Sequence, residues 1–501
     1  MRIKTGTLLF ALVLTAAITQ ISPAQIESGK RYQRLVIRNA IVIDGNGTPA
    51  SGPKDIVVEN DRITAIVNID PVAVKEGTAR RPAKGDVEID AEGRYVMPGL
   101  INLHGHTHDG RGGKAMPVEY CQMLWLAHGI TTIRDVGAYA KTLEWRAQVE
   151  RNEIASPRVF AYGVFNTGES TKNEQAARER VRQLKREGYD GMKLFGVDRD
   201  IMAALMDEAK KQGLRVAHHT GVEETNTWDD IRFGTTSIEH WYGIPEAAIA
   251  NGRQNYPPDY NYNDEVDRFR YAGRLWREAE WDRLMKVFDA MIEGGVAWNP
   301  TLNIYEASRD LQRAQTQPHY TEYLHPVLGE FFIPNPANHG SYFIGWTSTD
   351  EAYWKENYRI WMKALKEFER RGGLIGAGED AGFIYQVYGF GLIRELELHQ
   401  EAGFDPLMVI RHATGNNAKI MGKDDELGRI RVGYKADILV VNGNPLEDLK
   451  VLYATGTEEI RDGKAVKTGG VEWTIRDGVP FHAPTLAAEV RKIVADAKRV
   501  P

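Results

Sequence analysis

Residues 98–109 read PGLINLHGHTHD, and no other stretch limits the possible folds so narrowly. Pro98 and Gly99 break the preceding element, and Leu100, Ile101 and Leu103 form a short apolar strand running into His104, Gly105 and His106. Side chains alternate along a strand, so His104 and His106 project to the same side. Two neutral imidazoles on one face at a strand's C-terminal end suit a divalent metal. An isolated pair of this kind serves equally well as hydrogen-bonded polar residues at a loop edge. The other strands decide between these readings.

From residue 98 to 422 the pattern alternates apolar strands with amphipathic helices, which calls for a parallel sheet with helical crossovers. The strand segments are 100–106, 130–135, 158–162, 192–195, 214–219, 236–240, 296–300 and 374–379. Between them, residues 200–212 set Ile201, Ala204, Leu205 and Ala209 along one helical stripe. Eight strand-helix units predict an α/β fold of the (β/α)8 TIM barrel class, whose active site lies at the strands' C-terminal ends. Short β segments at 34–43, 55–66 and 87–89 precede it, and others at 428–432, 436–441, 457–461 and 465–467 follow it. Residues 25–97 and 423–501 are therefore expected to build one small composite β-sandwich domain, the latter ending in a C-terminal tail. Two connections, near 242–295 and 303–373, exceed what a barrel needs and are rich in aromatics such as Tyr256, Tyr260, Trp346, Trp354 and Trp361. They predict a pocket wall or lid, or else a packed helical elaboration or subunit contact.

Arg2 and Lys4 precede an apolar run over residues 8–18, and Ser22, Pro23 and Ala24 follow it. This matches a secretory signal peptide over residues 1–24, with an uncleaved anchor as the alternative, and points to the periplasm of a Gram-negative bacterium or the exterior. Cys121 is the chain's single cysteine, which excludes a lipobox and an internal disulfide. A net charge of -6 and the lack of a long basic run argue against nucleic acid as a partner. The expected partner is a small molecule or short peptide, with no membrane contact after leader cleavage and a homo-oligomer left open.

Candidate ligands recur at the strand ends: His104 and His106 on strand one, Lys193 on strand four, His218 and His219 on strand five, Glu239 and His240 on strand six, Glu379 and Asp380 on strand eight. A lysine in an apolar strand is costly unless paired or chemically altered. Each residue alone has an ordinary structural explanation. Five strand ends with metal-compatible side chains are much harder to explain that way.

These motifs resemble the amidohydrolase superfamily of metal-dependent hydrolases over nearly the whole mature chain. Residues 98–106 are similar to its PGLIDxHxH opening, GITTIRDVG at 129–137 to its second strand, and SIEH at 237–240 to its strand-six histidine. NPTL at 299–302, GEDA at 378–381 and ATGNNAKIMG at 413–422 resemble its later motifs, as do GRIRVGYKAD at 428–437 and NPL at 444–446. Within the superfamily the pattern is closest to the imidazolonepropionase-like branch that includes Xaa-Pro dipeptidases.

The resemblance implies two divalent ions, zinc first among Zn, Mn, Co and Fe. His104, His106 and Asp380 would hold one ion and His219 with His240 the other, while Lys193, carboxylated on its amine, would bridge both. His219 is preferred to His218 because VAHH at 216–219 matches the family's strand with the ligand in fourth place, and alternation lets only one of the two reach the metals. His108 remains a further candidate. Two ions sharing a water would hold it as hydroxide beside a polarised carbonyl, with Asp380 shuttling the proton to the leaving nitrogen. Arg134, Tyr242 and Asn299 are candidate substrate contacts. Asn102, Gly105 and Glu379 depart from the family pattern without touching a proposed ligand. The expected enzyme is thus an exported dipeptidase-like amidohydrolase acting on a dipeptide or N-acyl amino acid. The alternatives are a mononuclear, cyclic-amide or lactone hydrolase of the same superfamily and a non-catalytic periplasmic binding protein on the same fold.

Overall fold

The computed structural model describes residues 26–165, 168–220, 224–250, 256–261 and 264–499, so the leader expected at 1–24 lies outside the described residues. Strands β1 (Arg34–Val42), β2 (Ser51–Glu59), β3 (Arg62–Asn68), β4 (Val87–Asp90) and β5 (Tyr95–Pro98) come from the N-terminal flank. The barrel strands are β6 (Leu100–Gly105) and, after a small hairpin of β7 (Gly110–Arg111) and β8 (Lys114–Ala115), β9 (Ile130–Ala138), β10 (Arg158–Phe165), β11 (Gly191–Leu194), β12 (Arg215–His218), β13 (Ser237–Glu239) and β14 (Ala297–Asn299). The C-terminal flank adds β15 (Ile438–Val441), β16 (Thr457–Arg461), β17 (Lys464–Thr468), β18 (Val471–Arg476) and β19 (Val479–His482).

β6 and β9 to β14 form one parallel sheet in sequence order. Their residues are almost wholly buried, as expected of parallel strands covered on both faces. The eighth position is a backbone segment rather than a regular strand. Trp298 N–H donates to Leu374 O at 2.9 Å and Gly376 N–H to Trp298 O at 2.9 Å on one side. On the other, Leu103 N–H reaches Ala377 O at 3.1 Å and Asp380 N–H reaches His104 O at 2.9 Å, closing the barrel. Asn417, just past a π-helical turn at His412–Asn416, stitches this seam by donating to Ile101 O and Ala377 O at 2.6 and 2.8 Å. Gly378 is required there, because a Cβ would meet His104 N at 2.8 Å and Asn299 Nδ2 at 2.9 Å.

Strands from both chain ends share a second sheet, ordered β19-β18-β15-β5-β1-β2-β3 with β4 on β1. β5 runs parallel to β1 and antiparallel to β15, so the strand that leads into the barrel is itself held by the returning chain. Leu35, Ile37, Ile56, Val96, Ile438 and Ile475 fill its core. Residues 428–432, expected as a strand, are instead loop and bend, in which Ile430 N–H donates to Asp44 O at 3.1 Å. β16 and β17 pair only with each other, and Ile460 is 74% exposed, because neither strand carries an apolar face to bury. The tail expected at the C-terminus is ordered structure: β18 and β19 turn on Asp477 and Gly478, both at positive φ, and helix Ala483–Ala497 buries Leu486, Val490 and Val494.

The described parts of the two long connections pack as a helical layer. Helix Ser348–Arg370 is capped by Thr347 and buries Trp354, Tyr358, Trp361, Leu365 and Phe368 along one stripe. Trp354 donates to Phe269 O at 3.0 Å, and its ring stacks on Tyr305 at 5.9 Å, joining one connection to the other. Among the described residues, no helix is long and apolar enough to cross a membrane.

Candidate active site

His104 is the penultimate residue of β6, and His106 directly follows the strand's last residue, Gly105. Asp380 arrives from the eighth segment with φ of 47°, in the left-handed region that Asp tolerates better than most residues. His106 Nε2 lies 3.0 Å from Asp380 Oδ1 and His104 Nε2 lies 3.7 Å from the same oxygen. His240, at φ of 63° just past β13, brings its Nε2 to 3.8 Å from Asp380 Oδ2. Lys193 on β11 places Nζ 3.5 Å from His104 Nε2, fully enclosed by the barrel. His219 follows β12 with its ring 4.8 Å from that of His240 and stacked on Tyr242 at 4.8 Å. Five strand ends thus bring His104, His106, Lys193, His219, His240 and Asp380 into one cluster.

The outer hydrogen bonds set the tautomers. Thr301 Oγ1 donates to Pro300 O at 2.8 Å and therefore accepts from His240 Nδ1, 2.6 Å away. Glu239 Oε2 accepts from His104 Nδ1 at 2.7 Å. Both rings consequently turn an unprotonated Nε2 toward the Asp380 carboxylate. Two lone pairs aimed at an anion repel unless a cation lies between them, so this donor set fits a divalent metal. Burial, then the Lys193 charge, pushes His104 down to about 4, while burial also holds His219 and His240 well below the usual imidazole range. Burial brings the Lys193 ammonium down to about 8, which makes the neutral amine accessible. Burial opposes ionisation of Asp380, but the surrounding histidines outweigh it and hold the carboxyl well below its ordinary value.

Glu239 is the hub that sequence reasoning noted at a strand end without assigning it a task. It accepts from Arg134 Nη2 at 2.6 Å, Ser237 Oγ at 2.6 Å and Asn299 Nδ2 at 2.7 Å as well as from His104. Burial works against its charge, and Arg134 and His104 override it to keep Glu239 well below the carboxylate range. Arg134 also donates to Leu103 O and Ser237 Oγ at 2.6 and 2.9 Å, and both Arg134 and Asn299 are fully buried. These two are placed to hold Glu239 rather than to meet a substrate. Tyr242, the third candidate contact, is buried with its ring against His219.

Asn102 uses one oxygen to accept from His104 N–H and Glu379 N–H, both at 3.1 Å, joining the first and eighth strand positions. Glu379 accepts from Trp125 Nε1, from Gly389 N–H at 2.8 Å and from Leu392 N–H at 3.0 Å, while burial raises its carboxyl to about 8. It faces away from the cluster and caps helix Phe390–Glu401. His108 bonds Tyr388 OH at 2.6 Å through Nδ1 and stacks on His106 at 5.5 Å. Cys121 is buried in helix Val118–Ala127, and burial raises its thiol well above the usual range.

His218 points the opposite way from His219. Its Nδ1 lies 2.6 Å from Asp230 Oδ1, and Thr235 and Thr220 complete that carboxylate's shell at 2.7 and 3.2 Å. His218→Ala is expected to cost about 1–3 kcal/mol in denaturant unfolding through a lost buried hydrogen bond. Metal content and turnover should stay within about threefold of wild type, whereas loss of metal would move the ligand from His219 to His218.

Glu246, six residues past His240, is raised to about 8 by burial; Oε2 accepts from Gly243 N–H at 2.8 Å and Oε1 has no partner among the described residues. Its folded value exceeds the ordinary 4.5, so its favourable contribution is complete below about 4.5 and is lost as pH rises towards 8. Glu246→Gln should therefore gain stability relative to wild type across that window, on the order of 3 kcal/mol by pH 8. Unfolding midpoints measured at several pH values for both proteins check this; parallel curves would contradict it.

The model of the amidohydrolase family matches residues 95–248 and 361–469, more than half of the chain. A dihydroorotase from Bacillus licheniformis is 30% identical over 133 residues, which span 25% of this chain and 28% of that protein. Among solved structures, a Xaa-Pro dipeptidase with methionine bound in its active site superposes with a TM-score of 0.59 at 20% identity, covering 90% of this chain and 100% of that one. The bottromycin amidohydrolase superposes with a TM-score of 0.63 at 16% identity, covering 94% of this chain and 92% of the other. The two structural likenesses share the fold, and the ranges matched by the family model contain His104, His106, Lys193, His219, His240 and Asp380. With that barrel and the family match together, the chain is an enzyme of the amidohydrolase family.

Proposed function

We infer that this enzyme is an exported metal-dependent hydrolase that cleaves an amide C–N bond in a dipeptide or N-acyl amino acid. The convergence of His104, His106 and His240 on Asp380, with Lys193 against His104, at the barrel's C-terminal face carries this reading. His104, His106 and Asp380 would hold one divalent ion and His219 with His240 a second, with Lys193 as a carboxylated bridge. When bound, such ions acidify a water and polarise a carbonyl. Carboxylation turns the lysine from a buried cation into an anionic oxygen ligand, which removes the cost of an unpaired charge.

The chain's own groups then handle the proton. Asp380 accepts it at an Oδ atom as the water attacks and returns it to the leaving nitrogen. Glu239 and Thr301 hold His104 and His240 with Nε2 inward throughout.

Export rests on the leader pattern at residues 1–24. Zinc-loaded enzyme incubated with dipeptide and N-acetyl amino acid libraries tests the activity. Release of amine from a subset of members, abolished by a chelator and restored by zinc, supports the reading. Failure to hydrolyse any amide while metal is bound would overturn it.

A further inference from the structure

Arg111 carries a partly buried positive charge that forms no salt bridge among the described residues. It lies on β7, five residues past His106, in a hairpin tied down by Met116 N–H donating to Asp109 O at 2.8 Å. Its Nε donates to Gly382 O at 3.1 Å, two residues from Asp380. The guanidinium lies over the Phe383 ring, 4.2 Å from its centroid, and 5.2 Å from that of Phe331. Phe383 in turn sets its ring edge-on to His106 at 5.3 Å and to His108 at 5.7 Å. Nη2 is buried with no hydrogen bond of good geometry among the described residues, the Tyr388 hydroxyl being the side-chain oxygen that interacts with the group, and no carboxylate there forms an ion pair with it. Burial lowers its pKa, with the Tyr388 hydroxyl and the Asp380 charge only partly compensating.

The contrast with the buried Arg134 and the part-buried Arg158 and Arg394 is direct, since each of these guanidinium groups meets at least one carboxylate. Leaving an ion unpaired in an apolar setting is expensive, and a planar fork held between aromatic rings is oriented for a bidentate anion. A ligand that brings its own carboxylate completes the pair.

We propose that Arg111 is a specificity-determining residue that receives the free carboxylate of the substrate, so that the enzyme acts on amides whose amine portion ends in a carboxylate. This rests on the amide-hydrolase reading and narrows it: dipeptides and N-acyl amino acids are the preferred substrates, and their C-terminal carboxamides are turned over with a much higher KM. Phe383 and Phe331 fix the guanidinium plane, and the Gly382 carbonyl fixes its distance from the loop that carries Asp380.

The test has two arms. In the first, melting temperatures of zinc-loaded wild type, Arg111→Met and Arg111→Lys are recorded with each of the free amino acids and with their carboxamides. At least one free amino acid should raise the wild-type melting temperature while its carboxamide does not; Arg111→Met should lose that shift and Arg111→Lys keep part of it. In the second, the best library dipeptide and its carboxamide are compared kinetically. Arg111→Met should raise KM for the acid about 100-fold with kcat within about threefold, and leave the carboxamide unchanged. Metal content and the unliganded melting temperature report whether the variant is folded, and Arg111→Gln replaces it if it is not. Equal wild-type binding of acids and carboxamides, or an undiminished shift in the variants, overturns the assignment while leaving the hydrolase reading intact. Loss of acid preference on replacing Arg268, whose charge reaches His219, instead of Arg111 overturns it too. Absence of all amide hydrolysis, with acid binding still lost in Arg111→Met, sinks the hydrolase reading and leaves the carboxylate site standing.

Discussion

Asp380→Asn should lower turnover by at least about three orders of magnitude while the protein keeps its fold. The expected loss follows from the removed charge: Asn cannot accept a proton from water or return it to a leaving nitrogen, and general base catalysis of this kind contributes about 10²–10⁴-fold. The amide is also a weaker metal ligand than a carboxylate. Retention of the fold follows from the backbone. Asp380 sits at φ of 47°, and Asn is among the few residues that tolerate that region. Its N–H bond to His104 O at 2.9 Å, which helps to close the barrel, does not involve the side chain. Steady-state kinetics with circular dichroism on the same sample checks both halves. Residual activity above about a tenth of wild type would remove Asp380 from the proton pathway.

Arg134→Met carries the largest expected cost to stability, about 3–5 kcal/mol, because it strands Glu239 as an uncompensated buried charge. The guanidinium is fully buried and makes three bonds, to Leu103 O, Ser237 Oγ and Glu239 Oε1. Met fills much of the same space without donating any of them. Glu239 would then be driven toward its protonated form and release its grip on His104 Nδ1. Combining Arg134→Met with Glu239→Gln should recover a substantial part of the loss, since the stranded charge disappears with it. Urea unfolding of the single and double variants reads this out. A single-variant loss below about 1 kcal/mol, or strict additivity in the double variant, would contradict the picture of Glu239 as a charge held by Arg134.

The barrel was legible because parallel strands covered on both faces read as continuous apolar runs, and the seven regular strands fall within or beside the segments expected for them. The eighth differs because its ladder is shared with the Asn417 side chain, a contact between residues 40 apart in the chain. Alternation along β12 separates His218 from His219, and the opposite environments of the two rings follow that pattern. Residues 457–468 alternate as strands do, yet they lack an apolar face and so stand apart from the main sheet. Asp477 and Gly478 form a recognisable hairpin signal, and the strands on either side of it belong to the terminal sheet. The roles of Glu239 and Thr301 were not readable, because the sequence shows neither which donors the barrel brings to Glu239 nor that Thr301 spends its proton on Pro300 O. Arg111 was equally silent: its meaning depends on Phe331, Phe383 and Gly382, which lie more than 200 residues away.

The most direct measurement of the proposed centre is the metal content of mature wild type and of Lys193→Ala, both expressed with bicarbonate and zinc supplied. Elemental analysis should find about two ions per chain in wild type and clearly fewer in the variant, as expected when a bridging ligand is removed. One ion in both proteins would make Lys193 a structural residue and the centre mononuclear. No bound metal in wild type would contradict metal-dependent hydrolysis outright and bring the binding-protein alternative forward.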